Sequence, residues 1–165
     1  QGDRAMAELL RKFGAHVTEN EDITVAPGTL RGQDIDMREI PDLLPPLAVV
    51  AAGSIGTTRL YNAGRCRIKE CDRLAASAAL LTALGGQVEE RETELLIHGT
   101  GTLVGGRVEG MNDHRMVMAA ALAATLCREP VTVTDSEAVA KSYPTFFNDY
   151  QRLGGVICSP RSDET

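Results

Sequence analysis

The sequence contains no tryptophan and only three tyrosines and three phenylalanines among 165 residues. Platforms on which bases or sugars stack need exposed rings, so that mode of recognition is not expected. A basic excess is also missing: 17 lysines and arginines stand against 23 aspartates and glutamates, a net charge of −6. That sign disfavours nonspecific attraction to nucleic acid or to an anionic membrane, although a local group of cations can still hold an anion. No apolar run approaches the ~20 residues of a membrane span. Cys66, Cys71, Cys127 and Cys158 form no CxxC pair and no histidine–cysteine ligand spacing, so the expectation is reduced thiols in a cytoplasmic protein rather than a metal centre.

What is present is 43% apolar residues, enough for one substantial core. The opening "QGDRAMAELLRKFGA" already reads as an amphipathic helix with Met6, Leu9, Leu10 and Phe13 on one face. A chain that opens inside a structured unit is expected to be part of a larger protein.

Three stretches share one phrase: "LLRKFGAHV", "LLTALGGQV" and "DYQRLGGVI", each a helix ending in glycine before a short apolar strand. Their glycines, Gly14, Gly85 and Gly154, are 71 and 69 residues apart. Glycine suits a helix C-terminus because the left-handed cap costs it little, but capping does not explain a constant spacing. A repeated supersecondary unit does. The periodicities predict an α/β (α+β) chain of about two and a half βαβαββ units: residues 1–26 end one unit, 34–98 form a complete one, and 106–158 form the last. In the complete unit, helices are expected from Asp42 to Ala52, with Pro45 and Pro46 delaying the start, and from Lys69 to Leu84. In the last unit they are expected from Asp113 to Leu126 and from Tyr143 to Leu153, followed by a strand from Val156 to Cys158.

The same offset links charged positions. Asp42 and Asp113 open the first helix of their units, and Lys69 and Lys141 precede the second. Asp42, Lys69, Glu70, Arg73, Asp113, His114, Arg115 and Lys141 should therefore share one end of the fold. Helix N-termini carry partial positive charge and unpaired N–H groups, so several aimed at one surface form an anion site. Lys69, Arg73, Arg115 and Lys141 add cations there, the arginines suited to two-point capture of carboxylate or phosphate. Asp42, Glu70 and Asp113 are then carboxylates among cations, able to exchange protons. Taken singly, "KECDR" and "NDHRM" also read as capped, solvated helix starts; their joint placement is what favours a site.

"RIKECDRL", "NDHRM" and "AKSYPTFF", in this order and preceded by "IPDLLPPLAVVAA", resemble the C-terminal part of the 5-enolpyruvylshikimate-3-phosphate synthases, also called 3-phosphoshikimate 1-carboxyvinyltransferases. The UDP-N-acetylglucosamine enolpyruvyl transferases share the fold but lack this motif pair. A non-catalytic repeat domain that binds anions, or a purely structural one, is the further alternative. The resemblance implies two domains of three βαβαββ units each, the inside-out α/β barrel of enolpyruvyl transferases, with this chain a partial C-terminal domain over 1–165. It implies transfer of the carboxyvinyl group of phosphoenolpyruvate to the 5-hydroxyl of shikimate 3-phosphate, with release of phosphate and no metal or organic cofactor. Asp42 would accept the hydroxyl proton and Glu70 would protonate the methylene. Arg73, Arg115 and Lys141 would clamp phosphoenolpyruvate, where glyphosate also binds. Lys69 would contact shikimate 3-phosphate, and Asp113 and His114 would border the site. Cys71 stands where the family usually has Ser or Thr, and Arg65 where many members carry Asn. The motifs of the N-terminal domain are not in these residues, so the chain is expected to be inactive alone. Its expected partner is that domain, within a full-length monomer.

Overall fold

Each helix of the chain ends or begins where local chemistry dictates, and the computed structural model describes residues 4–158. Helix α1 (Ala5–Phe13) stops at Gly14, whose φ of 113° puts it in the left-handed region while its N–H reaches the carbonyls of Leu10 and Arg11. An antiparallel hairpin follows, β1 (His16–Glu19) with β2 (Ile23–Ala26). The complete unit is β3 (Asp34–Asp36), α2 (Leu44–Ala52), β4 (Ile55–Tyr61), α3 (Arg73–Ala83), β5 (Gln87–Glu90) and β6 (Leu95–Thr100). Its four strands lie in the order β3-β4-β6-β5, with β3 parallel to β4 and the other pairs antiparallel. The last unit contributes β7 (Gly106–Val108), α4 (His114–Ala124), β8 (Val131–Val133) and α5 (Phe146–Arg152).

The repeat is one of strand register. Asp34 pairs with Arg59, Ile35 with Leu60 and Asp36 with Tyr61; 72 residues later, Gly106 pairs with Val131, Arg107 with Thr132 and Val108 with Val133. The bridges Arg31 to Ile55 and Leu103 to Cys127 repeat at the same offset. Identical register carries identical placement of α2 and α4, because each is the crossover between two parallel strands.

Helix α2, "LPPLAVVAA", has no charged residue and buries seven of its nine side chains. A helix apolar on all sides must be enclosed, and α2 packs against α3, α4, β4 and β6. The strands alternate: on β4, Thr58 and Leu60 point inward while Thr57 and Arg59 face solvent. Helices α2, α3 and α4 therefore fill the interior and the sheets lie outside, as the resemblance implies. No helix of the described residues is long and apolar enough to cross a membrane.

Four boundaries differ from expectation, each for a local reason. The α-helical part of α2 begins at Leu44, after a 3-10 turn over Pro41–Leu43 that carries Asp42; Pro45 and Pro46 fit a first turn whose N–H groups have no partner in any case. Helix α3 begins at Arg73, not Lys69, because the Asp72 side chain accepts the Ala75 N–H at 3.0 Å and acts as its cap. Lys69 and Glu70 thus stand on the preceding loop. Helix α5 begins at Phe146, since Pro144 biases Tyr143 away from helical backbone. Val156–Cys158 forms no strand, and Val156 is 85% exposed: no described strand lies alongside to pair with it.

The enclosure of α2 depends on a close backbone approach at Gly99 of β6. A Cβ added there would stand 2.2 Å from the Ser54 carbonyl oxygen and 2.3 Å from that of Ala51. Gly99→Ala is expected to destabilise the protein by about 1–3 kcal/mol, the cost of overpacking, measured by denaturant unfolding. Unchanged stability would show that β6 is not held against the end of α2.

Candidate active site

Three helices begin on one side of the molecule, and their starts bound a cleft of about 220 Å3 lined by Asp42, Lys69, Glu70, Arg73, His114 and Arg115. Asp42 arrives on the 3-10 turn before α2, and Lys69 and Glu70 on the loop before α3. Arg73 is the first residue of α3. Asp113 caps α4, its Oδ1 accepting the Arg115 N–H at 2.9 Å. The N-termini of α3 and α4 add partial positive charge to this side.

Arg73 is the centre of the arrangement, at 2% exposure. Its Nε donates to Asp113 Oδ2 at 2.8 Å and its Nη2 to Asp113 Oδ1 at 3.2 Å. Nη1 donates to Asp42 Oδ1 at 2.7 Å, and Nη2 also donates to Glu70 Oε2 at 2.7 Å. One guanidinium thus gathers carboxylates from the starts of three helices. Asp113 is wholly buried. Burial opposes its ionisation, but hydrogen bonds from Arg73 and from the Arg115 amide, with the charge of Arg73, outweigh it and hold the carboxyl below its usual range. Asp42 is likewise lowered: partial burial works against the charge, and Lys69, Arg115 and Arg73 overcome it.

Around this hub, Lys69 Nζ lies 3.1 Å from Asp42 Oδ1, and Arg115 Nη1 donates to the Asp42 carbonyl at 3.2 Å. His114 Nδ1 is buried 3.3 Å from Glu70 Oε2 and 4.0 Å from Asp113 Oδ1, without the alignment of a hydrogen bond. Glu70, Asp113 and His114 offer three ligand atoms within 4.8 Å of one another, as a metal would need. Both carboxylates already accept from Arg73, however. A metal ion would have to displace that guanidinium or share the site with its positive charge.

Seven of the eight residues singled out in the sequence meet here, with Asp113 forming the floor beneath Arg73. Lys141 does not line the cleft; its ammonium donates to the Asn112 carbonyl, one residue before the α4 cap. Two neighbours lie outside the residues given a site role in the sequence. Cys71 Sγ donates to Asp113 Oδ2 at 3.5 Å. Burial and the adjacent carboxylate push this thiol up to about 12, so it stays protonated and serves as a donor, as a Ser or Thr hydroxyl would. Arg67 bonds Asp72 and the β5–β6 turn; only the side chain that Asp72 offers as a cap could have hinted at it. Arg65 lies exposed on the 3-10 turn before Lys69.

The chain as a whole is similar to known proteins. Residues 1–150 match the model of the family described as EPSP synthase (3-phosphoshikimate 1-carboxyvinyltransferase). A 3-phosphoshikimate 1-carboxyvinyltransferase of Clostridium novyi is 46% identical over 158 residues, covering 95% of this chain and 36% of that protein. One from Clostridium acetobutylicum is 48% identical, again over 95% of this chain and 36% of the relative. Among solved structures, an EPSP synthase from Acinetobacter baumannii superposes with a TM-score of 0.83 at 30% identity, over 90% of this chain and 38% of that one. The enolpyruvyl transferase NikO of Streptomyces tendae, at 22% identity and a TM-score of 0.76, shares the fold. The chain spans little more than a third of the length of the curated relatives it matches. By motif, fold and similarity over nearly all its residues, this chain belongs to the EPSP synthase (3-phosphoshikimate 1-carboxyvinyltransferase) family.

Proposed function

We propose that these residues form one wall of a two-walled active site, in a longer enzyme that transfers the carboxyvinyl group of phosphoenolpyruvate to the 5-hydroxyl of shikimate 3-phosphate and releases phosphate. The observation that carries the reading is the cleft itself, where two carboxylates and three cations meet at three helix starts, above the buried carboxylate of Asp113. Addition and elimination through a tetrahedral intermediate need a base for the hydroxyl, an acid that protonates the methylene carbon and then takes a proton back as phosphate leaves, and cations for the anionic groups. Asp42 is the proposed base and Glu70 the proposed acid. Arg73, Arg115 and Lys141 are the proposed clamp on phosphoenolpyruvate, at which glyphosate would also bind, and Lys69 the contact to shikimate 3-phosphate. Asp113 and His114 border the site. The chemistry requires no metal or organic cofactor. The other wall would come from residues outside this chain, in a cytoplasmic enzyme that acts as a monomer.

The ligand-free contacts suggest how Glu70 enters the reaction. Its carboxylate is about half exposed and shares Arg73 Nη2 with Asp113. An incoming carboxylate or phosphate competes for that guanidinium and releases Glu70 toward the substrate, whereas buried Asp113 keeps its hold. Arg73 thus combines an anchored edge facing Asp113 with an edge able to exchange partners.

Phosphate release by the full-length protein, given both substrates, tests the reading. Glu70→Gln preserves shape and cannot deliver a proton, so kcat should fall by roughly 10²- to 10⁴-fold with little change in either KM. Full turnover in that variant would remove Glu70 from the chemistry. Asp113 should instead show itself in stability. Its folded-state pKa is depressed, so its contribution is complete above the unfolded carboxylate value near ~3.9 and is lost as pH falls through the folded value. Asp113→Asn should cost about 3–5 kcal/mol at pH 7, as breaking a buried ion pair does. Thermal melts should show the gap to the parent protein narrowing only below about pH 4. A gap that is small at pH 7, or independent of pH through the acid range, would contradict the buried pairing.

A further inference from the structure

Lys69 and Glu70 stand on a segment with little of its own to hold it. Ile68 is 83% exposed, and Lys69 leaves the 3-10 turn over Gly64–Ile68 in an extended conformation. No apolar side chain among residues 68–70 is buried. Besides the side-chain ties of Lys69 to Asp42, Glu70 to Arg73 and Cys71 to Asp113, what fixes the segment comes from its two ends.

At the front end, Arg67 uses all three guanidinium nitrogens. Nε donates to the Glu92 carbonyl at 2.8 Å and Nη2 to the Arg91 carbonyl at 2.8 Å, with Nη2 also 2.9 Å from Glu90 Oε1 as an ion pair. Nη1 donates to Asp72 Oδ2 at 2.8 Å. At the back end, the other oxygen of Asp72 caps α3 through the Ala75 N–H. The Arg67–Asp72 pair therefore closes a ring around Ile68, Lys69, Glu70 and Cys71. The turn that receives Arg67 is itself held: the Arg91 N–H donates to the Glu94 carbonyl at 2.9 Å, and the largely buried Glu94 carboxylate accepts from Arg59 and Arg91. The Ala63 N–H adds a second tie, to the Thr93 carbonyl at 2.7 Å.

We infer that Arg67 is a positioning residue for the cleft, tying the β5–β6 turn to the cap of α3 and so fixing where Lys69 and Glu70 stand. The inference rests on the roles proposed above for those two side chains. A partly exposed ion pair adds little to stability, but a planar fork held on four acceptors specifies geometry that a lysine ammonium cannot reproduce. Misplacing a catalytic group by about 1 Å can cost 10²-fold in rate.

The test uses full-length protein carrying Arg67→Ala, Arg67→Lys or Asp72→Asn. The last keeps a competent helix cap while removing the ionic partner, so it serves if Arg67→Ala does not fold. Arg67→Ala should lower kcat by roughly 10- to 100-fold and raise the KM for shikimate 3-phosphate. The KM for phosphoenolpyruvate should change less, because Arg115 and Lys141 stand on other elements and Arg73 keeps its hold on buried Asp113. Arg67→Lys should rescue only in small part, and Asp72→Asn should move the same parameters in the same direction by a smaller factor. Amide hydrogen exchange at residues 68–71 should accelerate in Arg67→Ala, with little change in melting temperature. In a Glu70→Gln background, Arg67→Ala should lower kcat by no more than about threefold further, since both changes act on one step. Native kinetics with native exchange would overturn the inference, as would a loss of rate merely proportional to the loss of folded protein. If the parent protein transfers no carboxyvinyl group, the functional reading fails on its own, and the exchange rates at 68–71 still decide whether Arg67 holds the loop.

Discussion

The buried guanidinium of Arg73 is the constraint on which the rest of the site depends. A charge removed from water costs several kcal/mol unless opposite charge and hydrogen bonds replace the lost hydration. Here the replacement comes from Asp42, Glu70 and Asp113, which belong to three different helix starts. Satisfying one arginine therefore draws α2, α3 and α4 to a common end. The interior between them is filled by alanines and leucines that let the helices approach closely.

The fold supplies this convergence through repetition. Strand pairs with the same register 72 residues apart place the crossover helices α2 and α4 equivalently, so Asp42 and Asp113 at their starts end up facing one guanidinium. Asp113 shows both duties in one side chain: Oδ1 caps α4 through the Arg115 amide, and both oxygens receive Arg73. A residue that secures a helix end and a catalytic arginine together explains how the proposed chemistry sits on a scaffold of otherwise ordinary caps.

Much of this was legible in the sequence because it is local. Glycine spacing, hydrophobic periodicity and the motifs "KECDR" and "NDHRM" located the units and seven of the residues around the cleft. The start of α3 was misplaced because a run of charges beside a helix resembles its first turn, and only hydrogen bonding shows Asp72 to be the cap. The strand expected at Val156–Cys158 failed for the opposite reason, since apolar residues form a strand only when another lies beside them. Two further features depend on contacts remote in sequence: the burial of Arg73 needs Asp113, 40 residues away, and the grip of Arg67 needs a turn 24 or 25 residues away. No spacing rule reaches such pairs.

The most direct test of the account is a double-mutant cycle on Arg73 and Asp113 in the full-length protein, read as unfolding free energy at neutral pH. Arg73→Met strands the buried Asp113 charge, and Asp113→Leu leaves Arg73 without its buried partner, with only Asp42 and Glu70, while the double change removes both. The account predicts that the two costs are strongly non-additive, with a coupling of about 2–3 kcal/mol, the upper range for contacting residues. Costs that add to within about 0.5 kcal/mol would show that Arg73 does not depend on Asp113 and would contradict the hub on which the site is built.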